Sequence, residues 1–277
     1  MGLWRKALLI LTPKAWARDD FRWSRISRAH RLAIARVLVK EGGWAIVKNL
    51  IPPGTKPKTI SEAIQLGEIY QRLYQVGDAI EAFEFAWAAR TKLQAGTQGE
   101  VLGWLSPLYG EVDRWDESVR LAKIMANEGR TATEIWRGRL QLGASIGGAG
   151  NPRRGIEMME AVFSDPASAP FFQSMPRITF HMLRFLAALY FKNGQAVKSS
   201  QIFERLENEL HTWKYSYDPD LAIRLLWDLK NMGALSRSQE RTLNSYPALP
   251  WDHAGVQQLG ARSGHCGGAA ESNCEID

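Results

Sequence analysis

The chain has 277 residues, a formal net charge of +6 and 45% hydrophobic residues, within the range of a folded soluble protein. No apolar run approaches the roughly 20 residues that a membrane-crossing helix needs. Its two cysteines, Cys266 and Cys274, both lie near the C-terminus, so a disulfide-held body is excluded. The charge is uneven. The first 59 residues hold 13 of the 35 Lys and Arg but 3 of the 29 Asp and Glu, which leaves them at +10 and the remainder at −4.

The N-terminus imitates a secretory signal. Arg5 and Lys6 precede Ala7-Leu8-Leu9-Ile10-Leu11, and Ala15-Trp16-Ala17 resembles a cleavage site. Pro13 and Lys14 cut that apolar core short, so the expected location is the cytoplasm, with attachment to a membrane surface as a variant. Next comes a basic amphipathic helical segment within residues 1–50. At about 100° per residue, Trp23, Ile26, His30, Ile34 and Val37 form one stripe. Arg18, Arg22, Arg25, Arg28 and Arg36 gather on the opposite side. Such a helix suits an anionic membrane surface, with Trp4 and Trp16 as anchors, or the phosphates of a nucleic acid. It also suits a plain capping helix whose arginines face water. His30, within the stripe, is expected to be a packing histidine. Ile51-Pro52-Pro53-Gly54-Thr55-Lys56-Pro57 reads as a Pro-rich linker over 51–59.

From about residue 60 one pattern recurs: an apolar helical face, a turn, and a second helix. Ile69, Tyr70 and Leu73 precede Gly77-Asp78, then Ala82, Ala86 and Ala89. Leu102, Leu105 and Tyr109 precede Asp113-Arg114-Trp115, then Ser118 and Ala122. Leu142, Gly143 and Ile146 precede Gly150-Asn151-Pro152, then Gly155, Met159 and Val162. Pro152 suits a first helical turn, where its missing N–H costs nothing. Leu183, Leu186, Ala187 and Tyr190 precede Gly194, then Ser199, Phe203 and Leu206. Leu225, Leu226 and Leu229 precede Gly233, with a return helix expected over 235–243. With Gly42 at the start, the turn residues are Gly42, Gly77, Asp113, Gly150, Gly194 and Gly233, spaced by 35, 36, 37, 44 and 39 residues. The stretch Ser164 to Pro170 is expected to be a linker that accounts for the longest interval.

A period near 34 residues with a helix–turn–helix unit is the signature of one repeat class. Leu186-Ala187…Tyr190…Gly194…Ser199…Phe203 resembles a tetratricopeptide repeat, and Leu142-Gly143…Gly150-Asn151-Pro152 is similar. Asp113 at a turn and Ala86 in place of a bulky aromatic depart from the pattern. The resemblance implies an all-α, right-handed solenoid of antiparallel helical hairpins over residues 60–250. It also implies a non-catalytic scaffold or adaptor that binds a peptide or protein in its concave groove. The tail over 251–277, rich in Gly, Ala and Ser, is expected to be disordered.

The inner face of such a solenoid is lined by the first helix of each hairpin. In this register it carries Gln71, Tyr74, Glu111, Arg137, His181, Arg184, Phe191 and Lys192. Arg137, Arg184 and Lys192 make its later half cationic, which suits an acidic peptide or a chain-terminal carboxylate. Salt bridges to Glu157, Glu160 or Glu204 would consume that charge instead. No G-x-S-x-G, H-E-x-x-H or P-loop lysine occurs. The glycines at 143, 147, 148 and 150 follow no strand, so they read as turn and packing residues rather than a phosphate cradle. His265, Cys266 and Cys274 are a weak metal-ligand set, and no cofactor is expected.

Overall fold

The computed structural model describes residues 26–40, 44–212, 219–234, 236, 237 and 239–241. Every regular element among them is helical. The order is α1 (Arg28–Lys40), α2 (Trp44–Leu50), α3 (Ile60–Arg72), α4 (Val76–Ala88), α5 (Ala95–Glu111), α6 (Trp115–Glu128) and α7 (Ala132–Gly148). Then follow α8 (Pro152–Ser164), the short α9 (Ala169–Ser174), α10 (Pro176–Lys192), α11 (Ala196–Thr212) and α12 (Pro219–Asn231). Helices pair in chain order as hairpins α3/α4, α5/α6, α7/α8 and α10/α11, and each hairpin packs on the next. The all-α, tetratricopeptide-like stack expected from the turn spacing is the observed architecture.

One turn geometry recurs at five positions. Each first helix ends at a residue with positive φ: Tyr74 (57°), Asp113 (60°), Gly150 (111°), Gly194 (74°) and Gly233 (67°). In each, that residue's N–H bonds the carbonyl three back, and the next N–H bonds five back. Gly194 donates to Phe191 and Gln195 to Tyr190; Asp113 donates to Gly110 and Arg114 to Tyr109. This pair of bonds satisfies the last carbonyls of a helix and requires a left-handed residue at its centre. Four of the six expected turn residues hold that position. Gly77 does not: it lies in the first turn of α4, and Tyr74 is the left-handed residue. Gly42 lies outside the described residues.

The helix starts are equally local. Thr59 accepts from the N–H of Glu62, whose carboxylate reaches back to the N–H of Lys58. Thr131 and Glu134 repeat this device, with Arg130 as the donor. Pro152 stands in the first turn of α8, as expected, and Asn151 caps the helix.

The interval after α8 is packed rather than a free linker. A 3-10 turn, Pro166–Ser168, leads into α9, where Phe171 is buried and Phe172 stacks on Phe163 at 5.0 Å between ring centroids. Residues 51–59 are also tied down. Ile51 is buried, and the Tyr70 hydroxyl donates to the carbonyls of Pro52 and Thr55. One apolar core runs without a break from Leu32 to Met125, so α1 packs as part of the stack. Its buried residues are Leu32, Ala35 and Val39. The stripe expected on this helix is therefore displaced: Val37 and His30 are exposed, and His30 meets the Ser27 hydroxyl at the helix start. Leu32 and Val39 are larger apolar anchors than His30, and they settle the rotation.

A second core, around Leu140, Met159 and Leu186, lies beyond α6. Between the two, α6 and α7 approach closely through small residues. A Cβ on Gly138 would fall 2.6 Å from the carbonyl carbon of Met125. Three buried hydroxyls cross here: Ser106 donates to the carbonyl of Ser118 at 2.9 Å, and Ser118 and Ser145 meet at 2.7 Å. The return helix expected over 235–243 and the tail over 251–277 fall largely or wholly outside the described residues.

Candidate anion-binding cleft

The first helices lie side by side, α5 against α7 and α7 against α10, with α12 against α10. Their shared face forms a narrow cleft of about 70 Å³, room for a few water molecules. Of the eight residues expected in the groove, Gln71, Glu111, Arg137, His181 and Arg184 line it. Tyr74 adjoins it, with the Arg224 guanidinium 4.8 Å from its ring centroid. Phe191 and Lys192 do not line the cleft; both stand exposed at the C-terminal end of α10.

Two lining arginines, Arg177 and Arg224, were not expected from the sequence. The available signal was a cation on the first helix of a late hairpin. Arg224 reaches Glu111 at 3.3 Å across 113 residues of chain, a contact set by the curvature of the stack and invisible to local periodicity.

Arg137 is held by a local defect. Pro107 in α5 has no N–H, so the carbonyl four residues earlier, at Gly103, lacks its helical donor. Arg137 Nη2 supplies one at 2.5 Å. Gly103 has no side chain, and any Cβ there would collide with the guanidinium. The ring of Trp104 lies 5.4 Å from the same group. Burial pushes the Arg137 pKa down to about 10, and the charge of Glu100 only partly offsets this.

Arg184 is neutralised differently. It pairs with Asp228 of α12, not with the acidic residues of α8 or α11 named above as alternatives. Burial raises the Asp228 carboxyl pKa, and the Arg184 charge opposes that rise. His181 Nδ1 lies 3.2 Å from Arg184. Trp104, Leu108, Ile178, Met182 and Phe185 give the cleft an apolar wall. Four guanidiniums thus converge here; Asp228 pairs with Arg184, Glu111 pairs with Arg224, and the charge of Glu100 acts on Arg137.

Among the anionic-surface candidates, Arg28 pairs with Glu62 at 3.2 Å and Arg36 with Glu68 at 2.7 Å, both on α3. Arg18, Arg22 and Arg25 lie outside the described residues, as do His265, Cys266 and Cys274. Among the described residues no cluster of three or more His, Cys, Asp or Glu is placed to hold a metal. None of the described helices is long and apolar enough to cross a membrane.

No protein-family model matches the chain, and no curated protein matches it. Among solved structures it is similar to putative kinesin light chain nearly identical TPR-like repeats from Podosopora anserina. A glutamine-to-methionine variant of these aligns at 18% identity with a TM-score of 0.47, covering 66% of this chain and 93% of that one. A second structure aligns at 19% identity with a TM-score of 0.46, covering 70% and 99%.

Proposed function

We propose that this protein is a non-catalytic interaction scaffold whose concave cleft holds an acidic segment of a peptide or protein. The observation that carries this reading is the convergence of Arg137, Arg177, Arg184 and Arg224 on one cleft that Glu111 also lines. Guanidinium forks match carboxylates in plane, and a partly dry site strengthens each charge-assisted bond. The aromatic and aliphatic wall would cover the stem of a bound acidic side chain.

Fluorescence anisotropy with labelled acidic and basic peptides of equal length tests it. Binding of the acidic peptide is expected, and none of the basic one. Affinity should fall as salt rises, because the Debye length shrinks from about 10 Å at 0.1 M to about 3 Å at 1 M. Arg177→Gln should weaken binding without altering the helical circular dichroism. Equal binding of both peptides, or none, would overturn the reading.

The +10 charge on the first 59 residues favours a second contact, docking of Arg18, Arg22 and Arg25 on an anionic membrane surface, with nucleic acid as the lesser choice. Substituting those three with Gln should abolish sedimentation with phosphatidylserine vesicles. Undiminished sedimentation would remove this reading.

A further inference from the structure

The cleft is narrow, about 70 Å³, and both Glu111 and Arg224 line it. Their ion pair opposes any widening of the cleft. It ties α12 to the end of α5, whereas α12 packs directly on α10 and α11. Glu111 keeps 31% of its side chain exposed, so an incoming group can reach it; Arg224 keeps 11%.

We propose that this pair is a latch, in which Glu111 occupies the Arg224 guanidinium until a ligand carboxylate takes its place. The proposal rests on the reading of the cleft as an acidic-segment site. Exchange of one carboxylate for another never leaves Arg224 as an isolated, largely buried charge, the costly alternative. Tyr74 supports the guanidinium by its face, so the hydrogen-bonding edge stays turned toward a carboxylate throughout. The Arg184–Asp228 pair links α10 to α12, which lets those two helices move together while the latch opens. Released Glu111 sits at the C-terminal end of α5 and regains water. Glu111 and the ligand carboxylate therefore compete for Arg224, and Glu111 sets the threshold a ligand must exceed.

The test uses the full chain, a fluorescein-labelled hexaglutamate peptide and its C-terminal amide. Glu111→Gln removes the internal competitor, and Arg224→Gln removes the shared receptor. Amide hydrogen exchange over α12 reads the opening without any ligand. Glu111→Gln should bind the peptide about threefold tighter than the unmodified protein, the size of a modest ion pair. Arg224→Gln should bind about tenfold more weakly, as loss of a charged hydrogen-bond donor does. Exchange over α12 should quicken in both. The amide peptide tells whether the terminal carboxylate or a side chain takes the place of Glu111.

Equal or weaker binding by Glu111→Gln overturns the latch. If neither the unmodified protein nor Glu111→Gln binds hexaglutamate, the acidic-segment reading itself fails. The latch is then judged on exchange alone, and unchanged exchange in Glu111→Gln removes it.

Discussion

Arg137 supplies the hydrogen-bond donor that Pro107 lacks. The acceptor is the Gly103 carbonyl, one turn before the proline. Removing Arg137 alone therefore orphans a backbone group. Arg137→Met should cost about 1–3 kcal/mol, the penalty of an unsatisfied buried polar group. Pro107→Ala restores the helical donor, so the same change in that background should cost markedly less. Urea unfolding of both singles and the double gives the coupling, expected at about 1 kcal/mol or more for residues sharing one acceptor. Additive effects would mean that Arg137 does not serve this carbonyl.

Gly155 of α8 and Gly143 of α7 meet backbone to backbone. A Cβ on Gly155 would lie 2.6 Å from the Gly143 carbonyl oxygen and 2.8 Å from the Gly147 Cα. Backbone cannot swing aside as a side-chain end can. Gly155→Ala should destabilise by about 1–3 kcal/mol, the range for overpacking, measured by urea denaturation. Unchanged stability would mean that the two helices separate without cost.

The turns make a paired prediction. Gly194 has φ +74°, so Gly194→Ala should cost about 1 kcal/mol or more, while Asp113→Gly should stabilise by a similar or smaller amount. Gly77 is different: it is helical, exposed, and has open space around its Cβ position. Gly77→Ala should therefore stabilise by about 0.4–1 kcal/mol. Thermal midpoints of the three variants, with that order of signs, would settle which residue ends α3.

Phe203 is 3% exposed beside Leu183, Ala187 and Leu206. Phe203→Ala should cost about 3–5 kcal/mol by leaving a cavity in that cluster. Calorimetry that shows no shift in midpoint would contradict the hairpin register of α10 and α11.

Much of this fold was readable because its turns are chemically local. Gly150, Gly194 and Gly233 stand where a left-handed residue is needed, and glycine is the residue that announces it. Tyr74 gives no such announcement, and Gly77, three residues on, carries the turn signal in its place. The α10 face of Leu183, Leu186, Ala187 and Tyr190 followed from period and is buried throughout. On α1 the period alone misjudges the rotation, because Leu32, Ala35 and Val39 take the core side while Arg28 and Arg36 pair with Glu62 and Glu68. The cleft was half legible. Arg137, His181 and Arg184 follow from their place on first helices. Arg177 and Arg224 did not, since the contact of Arg224 with Glu111 depends on how several hairpins add their curvature.

The meeting of α6 and α7 has a consequence for how the chain comes apart. Gly138 sets α6 and α7 backbone to backbone, and the buried hydroxyls of Ser106, Ser118 and Ser145 bond across the same junction. The junction therefore couples the block around Leu105 to the one around Met159. In mild denaturant the two should loosen together, as one transition seen alike by circular dichroism and tryptophan fluorescence.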